Sequence, residues 1–399
     1  MRRVVITGAG TVNALAHDLP GTCAALAAGR SGIGVLEFRD ADRLSIRIGA
    51  QIRGWTWGQA LTPQEQSLYD PFTRYALAAA AEALAMAGEG AGEGAGVLIG
   101  SSAGGIHTWE DNYRTVFAEG KNRVPPLTVP RLMMNAAASH IGMRHGLTGP
   151  TFAVSSACSS SNHAIGQAFR LIRDGHAPAM LAGGAEAMLC FSGIKAWEGL
   201  RVLSPDGCRP FSASRNGMVM GEGAAVFVLE EETRARARGA RIIAEIAGFG
   251  MTADAGDIVV PSVGGAAAAM RAALAEAGLA PEEIGYINAH GTGTRVNDRN
   301  EVAAIHRVFG HAANGLMVSS TKAAHGHAIG ATGALELIAC LMALDQGVIA
   351  PTLGLDRTDP DCDLDHVPNE ARRAQPGAAL SNSFAFGGLN AVLALRAAQ

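Results

Sequence analysis

A cysteine, two histidines and a lysine each lie in a run of small residues beside a predicted strand. Cys158 sits in Val154-Ser-Ser-Ala-Cys-Ser-Ser-Ser-Asn-His-Ala-Ile-Gly166. Residues 151–154 read as a buried strand, and Ala164, Ile165, Phe169 and Ile172 recur at helical spacing, so the thiol falls at a strand-to-helix turn. The first N–H groups of a helix have no partner within it, and the peptide dipoles put partial positive charge there. A thiol so placed is expected to ionise more easily than a free one, with its own N–H able to hold an oxyanion. Ala157 and the following serines would leave a substrate room to approach. A buried structural cysteine is the other reading of this turn.

Two later segments favour the nucleophile. In Asn288-Ala-His-Gly-Thr-Gly-Thr-Arg-Val-Asn-Asp298, His290 follows a strand-like run. In Ser319-Ser-Thr-Lys-Ala-Ala-His-Gly-His-Ala-Ile-Gly-Ala-Thr-Gly333, Lys322, His325 and His327 precede an apolar helix. A lone histidine in such a loop is commonly structural. A cysteine with two of them and a lysine makes a nucleophile surrounded by hydrogen-bond donors.

These residues need a large scaffold, and the composition supplies one. Of 399 residues, 48% are hydrophobic and 17% charged, which implies a large core and little disorder. The 51 glycines imply elements packed backbone against backbone. A net charge of −4 offers no general attraction to nucleic acid or membranes. The helix after Gly333 is interrupted by Glu336 and reads as too short to span a bilayer. Residues 1–8 enter a strand directly, without signal-peptide character. Six cysteines lack paired or metal-type spacing, so no metal site is expected and a reducing cytoplasm fits.

Strand and helix signals alternate throughout, which argues α/β architecture. Residues 77–86 read as a helix; residues 97–100, 180–186 and 224–230 read as strands. The charged stretch 231–241 divides the chain into halves, 1–240 with the cysteine and 241–399 with the histidines, lysine and Phe386. Each half holds a His-Ala-Ile-Gly tetrapeptide, at 163–166 and 327–330.

With Pro210-Phe-Ser-Ala-Ser-Arg-Asn-Gly-Met-Val-Met-Gly-Glu-Gly-Ala224 and Asn382-Ser-Phe-Ala-Phe-Gly-Gly-Leu-Asn390, the ordered motifs closely resemble those of elongating β-ketoacyl-[acyl carrier protein] synthases along essentially the whole chain. The resemblance implies a duplicated thiolase-like fold, layered αβαβα, with two mixed sheets around buried central helices. It implies decarboxylative Claisen condensation, with Cys158 as acyl acceptor and His290 and His327 as the active-site imidazoles. Lys322 and Glu336 would support them, and Asp298 and Glu301 would brace the His290 loop. Thr292 and Thr294 match pantetheine-contacting threonines. Phe386 matches a gate whose N–H joins that of Cys158 in the oxyanion hole, while Phe384 reads as core. No cofactor is implied beyond the phosphopantetheine of an acyl carrier protein. The implied assembly is a homodimer, or a heterodimer with a chain-length factor.

Several positions depart from the family pattern. Ala385 and Leu389 replace the usual glycine and threonine around the gate. Ala103 and Thr128 replace bulkier groups, the first lining the acyl pocket and the second reaching across the dimer interface, so a longer or more polar acyl tunnel is expected unless Trp197 fills it. Ser67-Leu68 replaces a basic pair on the carrier-docking surface, leaving Lys121, Arg123 and Arg131 as candidate contacts. His325 replaces threonine, and its ring is expected to bond within its loop. His140, His145 and His163 read as structural. Together these favour a specialised synthase of nodulation, polyene or polyketide type over routine lipid synthesis.

Other readings fit less well. A thiolase needs a second cysteine near the C-terminal glycines, where this chain has Phe384 and Phe386. An initiating synthase would lack the Lys322 to His327 motif. A non-catalytic chain-length subunit generally lacks the nucleophile. Thr7-Gly-Ala-Gly10 lacks the remaining features of a dinucleotide site.

Overall fold

The computed structural model describes residues 2–57 and 62–398, so Met1 and Gln399, the outer limits of the expected halves, lie outside the described residues. The first half contributes β1 (Val4–Asn13), β2 (Gly96–Gly100), β3 (Thr151–Val154), β4 (Ala179–Glu186) and β5 (Gly223–Glu231). The second contributes β6 (Ala244–Ala253), β7 (Ile284–Asn288), β8 (Met317–Ser319), β9 (Ala378–Ala385) and β10 (Leu389–Ala397). The spatial order is β8-β7-β9-β10-β6-β1-β5-β4-β2-β3. Within this sheet, each strand from the first half thus has a counterpart five strands later. Directions repeat as well: β1–β5–β4 and β6–β10–β9 are antiparallel, while β4–β2–β3 and β9–β7–β8 are parallel. The two expected mixed sheets are not separate. Val4, Val5 and Ile6 pair with Ile246, Glu245 and Ala244, joining them into one ten-stranded sheet.

The helices follow the same repeat. The first half has α1 (Pro71–Ala87), α2 (Ala136–His145) and α3 (Ser160–Arg173). The second has α4 (Val263–Ala277), α5 (Arg295–Phe309) and α6 (Thr332–Gln346). Glycine and alanine explain how closely they lie. A Cβ at Gly8 would stand 2.1 Å from the Ala83 carbonyl oxygen, and one at Gly10 2.2 Å from that of Ala79, so β1 receives α1 only as bare backbone. The glycines of the dinucleotide-like stretch therefore serve packing. Gly248 and Gly250 repeat the arrangement on β6, where a Cβ would meet the Ala273 and Ala269 carbonyls of α4 at 2.4 and 2.0 Å.

Helices α3 and α6 pack on each other and against strands of both halves. α6 is buried from residue 332 to 344. With the preceding turn it makes an 18-residue apolar stretch, Ile329–Gln346, so the expectation that it is too short to span a bilayer fails on length. Its burial, 89% of that window, marks it as a core helix. The two His-Ala-Ile-Gly tetrapeptides do not mark the repeat, because the first lies inside α3 and the second ahead of α6. The charged stretch between the halves is helical over Glu232–Ala237 alone.

Candidate active site

Cys158 occupies the turn from β3 into α3. Ala157 before it takes a left-handed φ of 51°, unusual for a residue with a side chain, and turns the thiol inward. The neighbouring serines hold this turn. Ser159 Oγ donates to the Ser156 carbonyl at 2.8 Å, and Ser160 Oγ donates to Ala157 at 2.7 Å while accepting the Ser156 N–H at 2.9 Å. They fix backbone, where the sequence suggested simply open space.

The thiol is 5% exposed, and burial pushes it up to about 12. The Lys322 charge and the N–H groups of Cys158 and Phe386 pull the other way, with less effect. The expected easy ionisation is therefore corrected: local helix position favours the thiolate, but tertiary burial outweighs it.

His290 follows β7, and its loop is held from α5. Glu301 accepts the N–H groups of His290 and Gly291, each at 2.8 Å, and Asn382 Nδ2 at 3.1 Å. Asp298 accepts Phe211 N–H at 2.9 Å and Gly293 N–H at 3.2 Å, and lies 3.4 Å from the buried Arg215 guanidinium. Both carboxylates are wholly buried, so neither is an ordinary solvated loop charge. Arg215 and Asn382 stand in the sequence only as members of longer motifs. Their functions depend on partners 80 or more residues away and left no local signal.

His327 precedes α6. Its N–H donates to the Val219 carbonyl at 2.7 Å, and its own carbonyl accepts Gly221 N–H at 2.9 Å, so residues 219–221 hold it as a strand would. The two imidazoles meet edge to face, with centroids 5.5 Å apart. Ligand-capable atoms of Cys158, His290 and His327 all lie within 4.8 Å of one another.

The remaining ring nitrogens decide what these imidazoles do. His327 Nδ1 accepts Ile329 N–H at 3.1 Å. Lys322 Nζ lies 3.3 Å from His290 Nδ1 and also donates to the His290 carbonyl and to Glu336 Oε1. That uses all three ammonium protons. Burial, then the Lys322 charge, pushes both imidazoles well below the usual histidine range, so they are neutral. With Nδ1 accepting, each ring carries its proton on Nε2. Metal-bound imidazoles instead donate their second nitrogen to an acceptor, so this cluster is built to donate and suits a metal poorly.

A cleft leads to these groups and is lined by Thr292, Thr294, Val260 and Phe386 among others. Thr292 and Thr294 share a 2.8 Å hydrogen bond. Trp197 stacks on Phe386 at 5.7 Å, placing it in the cleft as a partner of the expected gate. Phe384, expected as plain core, sets its ring edge-on to His290 at 6.1 Å and also lines the cleft. The Phe386 loop is tied down: Gly387 N–H donates to the Ile258 carbonyl at 2.8 Å, and Asp254 N–H donates to that of Gly388 at 3.0 Å. Gly388 has φ 68°, and a Cβ there would lie 2.4 Å from that of Asp254. If Cys158 is the acyl acceptor that the resemblance implies, Gly388→Ala should lower its acylation about tenfold or more by displacing this loop, read as the rate of mass gain on the protein.

Other expected residues lie apart. Ala103 packs in the apolar cluster around Cys158 but does not line the cleft. Thr128 is also away from it, its hydroxyl donating to Pro125 at 2.8 Å and accepting from Asn112. The single chain therefore does not bring Thr128 to the substrate. His325 bonds within its own loop, to the Gly326 carbonyl and Thr321 Oγ1 at 2.8 and 3.0 Å. Lys121 pairs with Glu119 at 2.8 Å. His140 packs on Tyr69, and His163 bonds Ser156 Oγ at 2.9 Å.

Comparison with known proteins agrees with this geometry. Residues 1–235 match the family model "Beta-ketoacyl synthase, N-terminal domain", and residues 243–356 match "Beta-ketoacyl synthase, C-terminal domain". The chain belongs to the β-ketoacyl synthase family. It is 48% identical to Nodulation protein E of Rhizobium sp. (strain N33), covering 99% of each chain. It is 39% identical to 3-oxoacyl-[acyl-carrier-protein] synthase 2 of Staphylococcus aureus (strain COL), covering 99% of this chain and 98% of that one. Among solved structures, the ishigamide ketosynthase/chain length factor superposes with a TM-score of 0.95 at 34% identity over the whole of both chains. This ketosynthase thus has the thiolase-like architecture expected of it, and its chemistry is condensation of acyl thioesters.

Proposed function

We propose that this ketosynthase works by a two-stage cycle on Cys158. The observation that carries the reading is the meeting of one buried sulfur with two imidazoles whose Nε2–H groups are both free to donate. In the first stage the Cys158 sulfur adds to an acyl thioester on a carrier protein. The N–H groups of Cys158 and Phe386 hold the oxyanion, the carrier's C–S bond breaks, and the departing pantetheine sulfur takes the proton that Cys158 gives up. Because the thiol is held protonated by burial, this transfer accompanies attack rather than preceding it.

In the second stage a malonyl carrier enters along the cleft wall that Thr292 and Thr294 form. Its C–CO2 bond breaks, and the electron pair becomes an enolate whose oxygen accepts from His290 and His327. The enolate carbon attacks the acyl-cysteine, a C–C bond forms, and Cys158 leaves as a thiolate that solvent protonates. Two neutral donors in a dry cleft suit this charge, and no metal or redox cofactor is required. Lys322, Glu336, Asp298 and Glu301 act by positioning the imidazoles. Residues 1–240 and 241–399 are the proposed units of the duplication, and the cytoplasm is the proposed compartment, supported by six free, buried cysteines.

The proposed partners are an acyl carrier protein and a second subunit. Among the described residues, edge strand β3 pairs only with β2 and exposes Phe152; α2, which packs on it, exposes Met143, and Met133 and Met134 are exposed just ahead of α2. Such a face suits closure by a second subunit, either a copy of this chain or a chain-length factor. The greater likeness to Nodulation protein E than to the staphylococcal synthase supports specialised elongation, as do Leu389 and Ser67. Incubation with acyl carriers of graded length, followed by intact-mass analysis, tests it. Long or unsaturated chains should load Cys158 and be extended by two carbons with malonyl carrier; turnover confined to short saturated primers would remove the specialised reading. A His327→Ala enzyme should still load acyl groups while condensation falls about 10²–10³-fold, the usual loss of one oxyanion donor.

A further inference from the structure

Glu186 ends β4 with its side chain wholly buried and takes five donors. Ser102 N–H and Oγ reach Oε2 at 2.7 and 2.6 Å, and Ser101 Oγ and Ala103 N–H reach Oε1 at 3.2 Å each. The fifth comes from the other half of the chain: Gly330 N–H donates to Oε2 at 3.0 Å. The Gly330 carbonyl accepts Ser161 Oγ from the first turn of α3, so the two peptide units that flank the Gly330 Cα are each held.

Its position gives that clamp a consequence. The residue before it, Ile329, has φ 43°, a left-handed conformation that a β-branched side chain strongly disfavours. Ile329 also supplies the N–H that occupies His327 Nδ1. If the next N–H were released, Ile329 would relax toward negative φ and withdraw its own N–H from the imidazole. His327 would then be free to take its proton on Nδ1 and present a bare Nε2 to the cleft.

We propose that Glu186 is a positioning residue for His327: by holding Gly330 it keeps Ile329 in its strained conformation and so keeps the His327 proton on Nε2. The proposal rests on the reading of His327 as an enolate donor and extends it to a carboxylate that touches neither substrate nor imidazole. Acyl transfer to Cys158 does not use that donor, so loss of Glu186 separates the two half-reactions.

The test uses full-length Glu186→Gln and Gly330→Ala proteins. The first replaces one carboxylate oxygen by a donor. The second leaves the carboxylate but forces a Cβ to within 2.5 Å of Glu186 Oε2, pushing the two apart. Acylation is followed by intact mass, malonyl-carrier decarboxylation by CO2 release, and the His327 tautomer by ¹⁵N imidazole spectra assigned through His327→Ala. Acylation should stay within about threefold of the parent enzyme while decarboxylation falls about tenfold or more, and the His327 signal should shift from pure Nε2–H toward a mixture. Equal loss in both half-reactions, or an unshifted His327 signal, overturns the proposal. Should Glu186→Gln fail to fold, Gly330→Ala decides by the same split. If the parent enzyme itself does not decarboxylate malonyl carrier, the functional reading fails instead, and the tautomer signal still judges the positioning role.

Discussion

Cys158→Ala should load no acyl group and make no β-ketoacyl product, yet keep decarboxylating malonyl carrier. The sulfur supplies the only bond to the acyl chain in the proposed cycle, so condensation should drop by about 10⁴-fold or more, as when other catalytic nucleophiles are removed. Decarboxylation depends on different contacts. His290 is placed by Glu301 and Lys322, and His327 by Val219, Gly221 and Ile329. None of these passes through the cysteine. The enolate should still form, take a proton from water and leave as acetyl carrier, at a rate within about tenfold of the parent enzyme. Carbon dioxide release measured beside intact-mass loading separates the two. Persistent loading would point to another thiol, such as Cys208, whose Sγ lies 3.8 Å from the Thr292 carbonyl oxygen of the His290 loop. Joint loss of loading and decarboxylation would mean that the sulfur shapes the imidazole site.

The sequence exposed the chemistry more readily than its supports, and the reason is range. Cys158, His290 and His327 each lie in a small-residue loop at a strand end, a signal contained within about ten residues. Glu186, in contrast, ended a stretch readable only as a strand, because its partners stand 84 and 144 residues away. Only the family resemblance marks Asp298 and Glu301 as braces of the His290 loop; nothing in their immediate neighbours distinguishes them from solvated charges. They are buried because each accepts backbone N–H groups that no neighbouring element could satisfy. The acidity of Cys158 was misjudged for a related reason: a helix N-terminus is visible locally, whereas the walls that dehydrate the thiol come from both halves. The duplication shows the same contrast. Alternating elements announced an α/β fold, but the matched strand order appears only when β1 and β6 are seen side by side.

Lys322 gives the second large effect, because stability and catalysis meet in it. Its ammonium is wholly buried among Glu336, the His290 carbonyl and His290 Nδ1. Lys322→Met leaves Glu336 in a dry core without its cation. Breaking a buried pair from one side costs about 3–5 kcal/mol, and condensation should fall at least about 10²-fold as His290 loses the group that fixes its tautomer. Burial already raises the Glu336 carboxyl and Lys322 pulls it back, so without the lysine the folded-state pKa rises further. A carboxyl raised in the folded state binds more protons there than in the unfolded chain, so stability falls as pH rises above the unfolded value of about 4.5. The variant's melting temperature should therefore lie closer to the parent's at pH 5.5 than at pH 8. Adding Glu336→Leu removes the stranded carboxyl and should recover most of the stability, since apolar replacement of a whole buried pair is often neutral. It should recover none of the condensation, because His290 Nδ1 still lacks its donor. A double variant that regained activity along with its melting temperature would make Lys322 a structural residue alone, and the two imidazoles would need no tuning from behind.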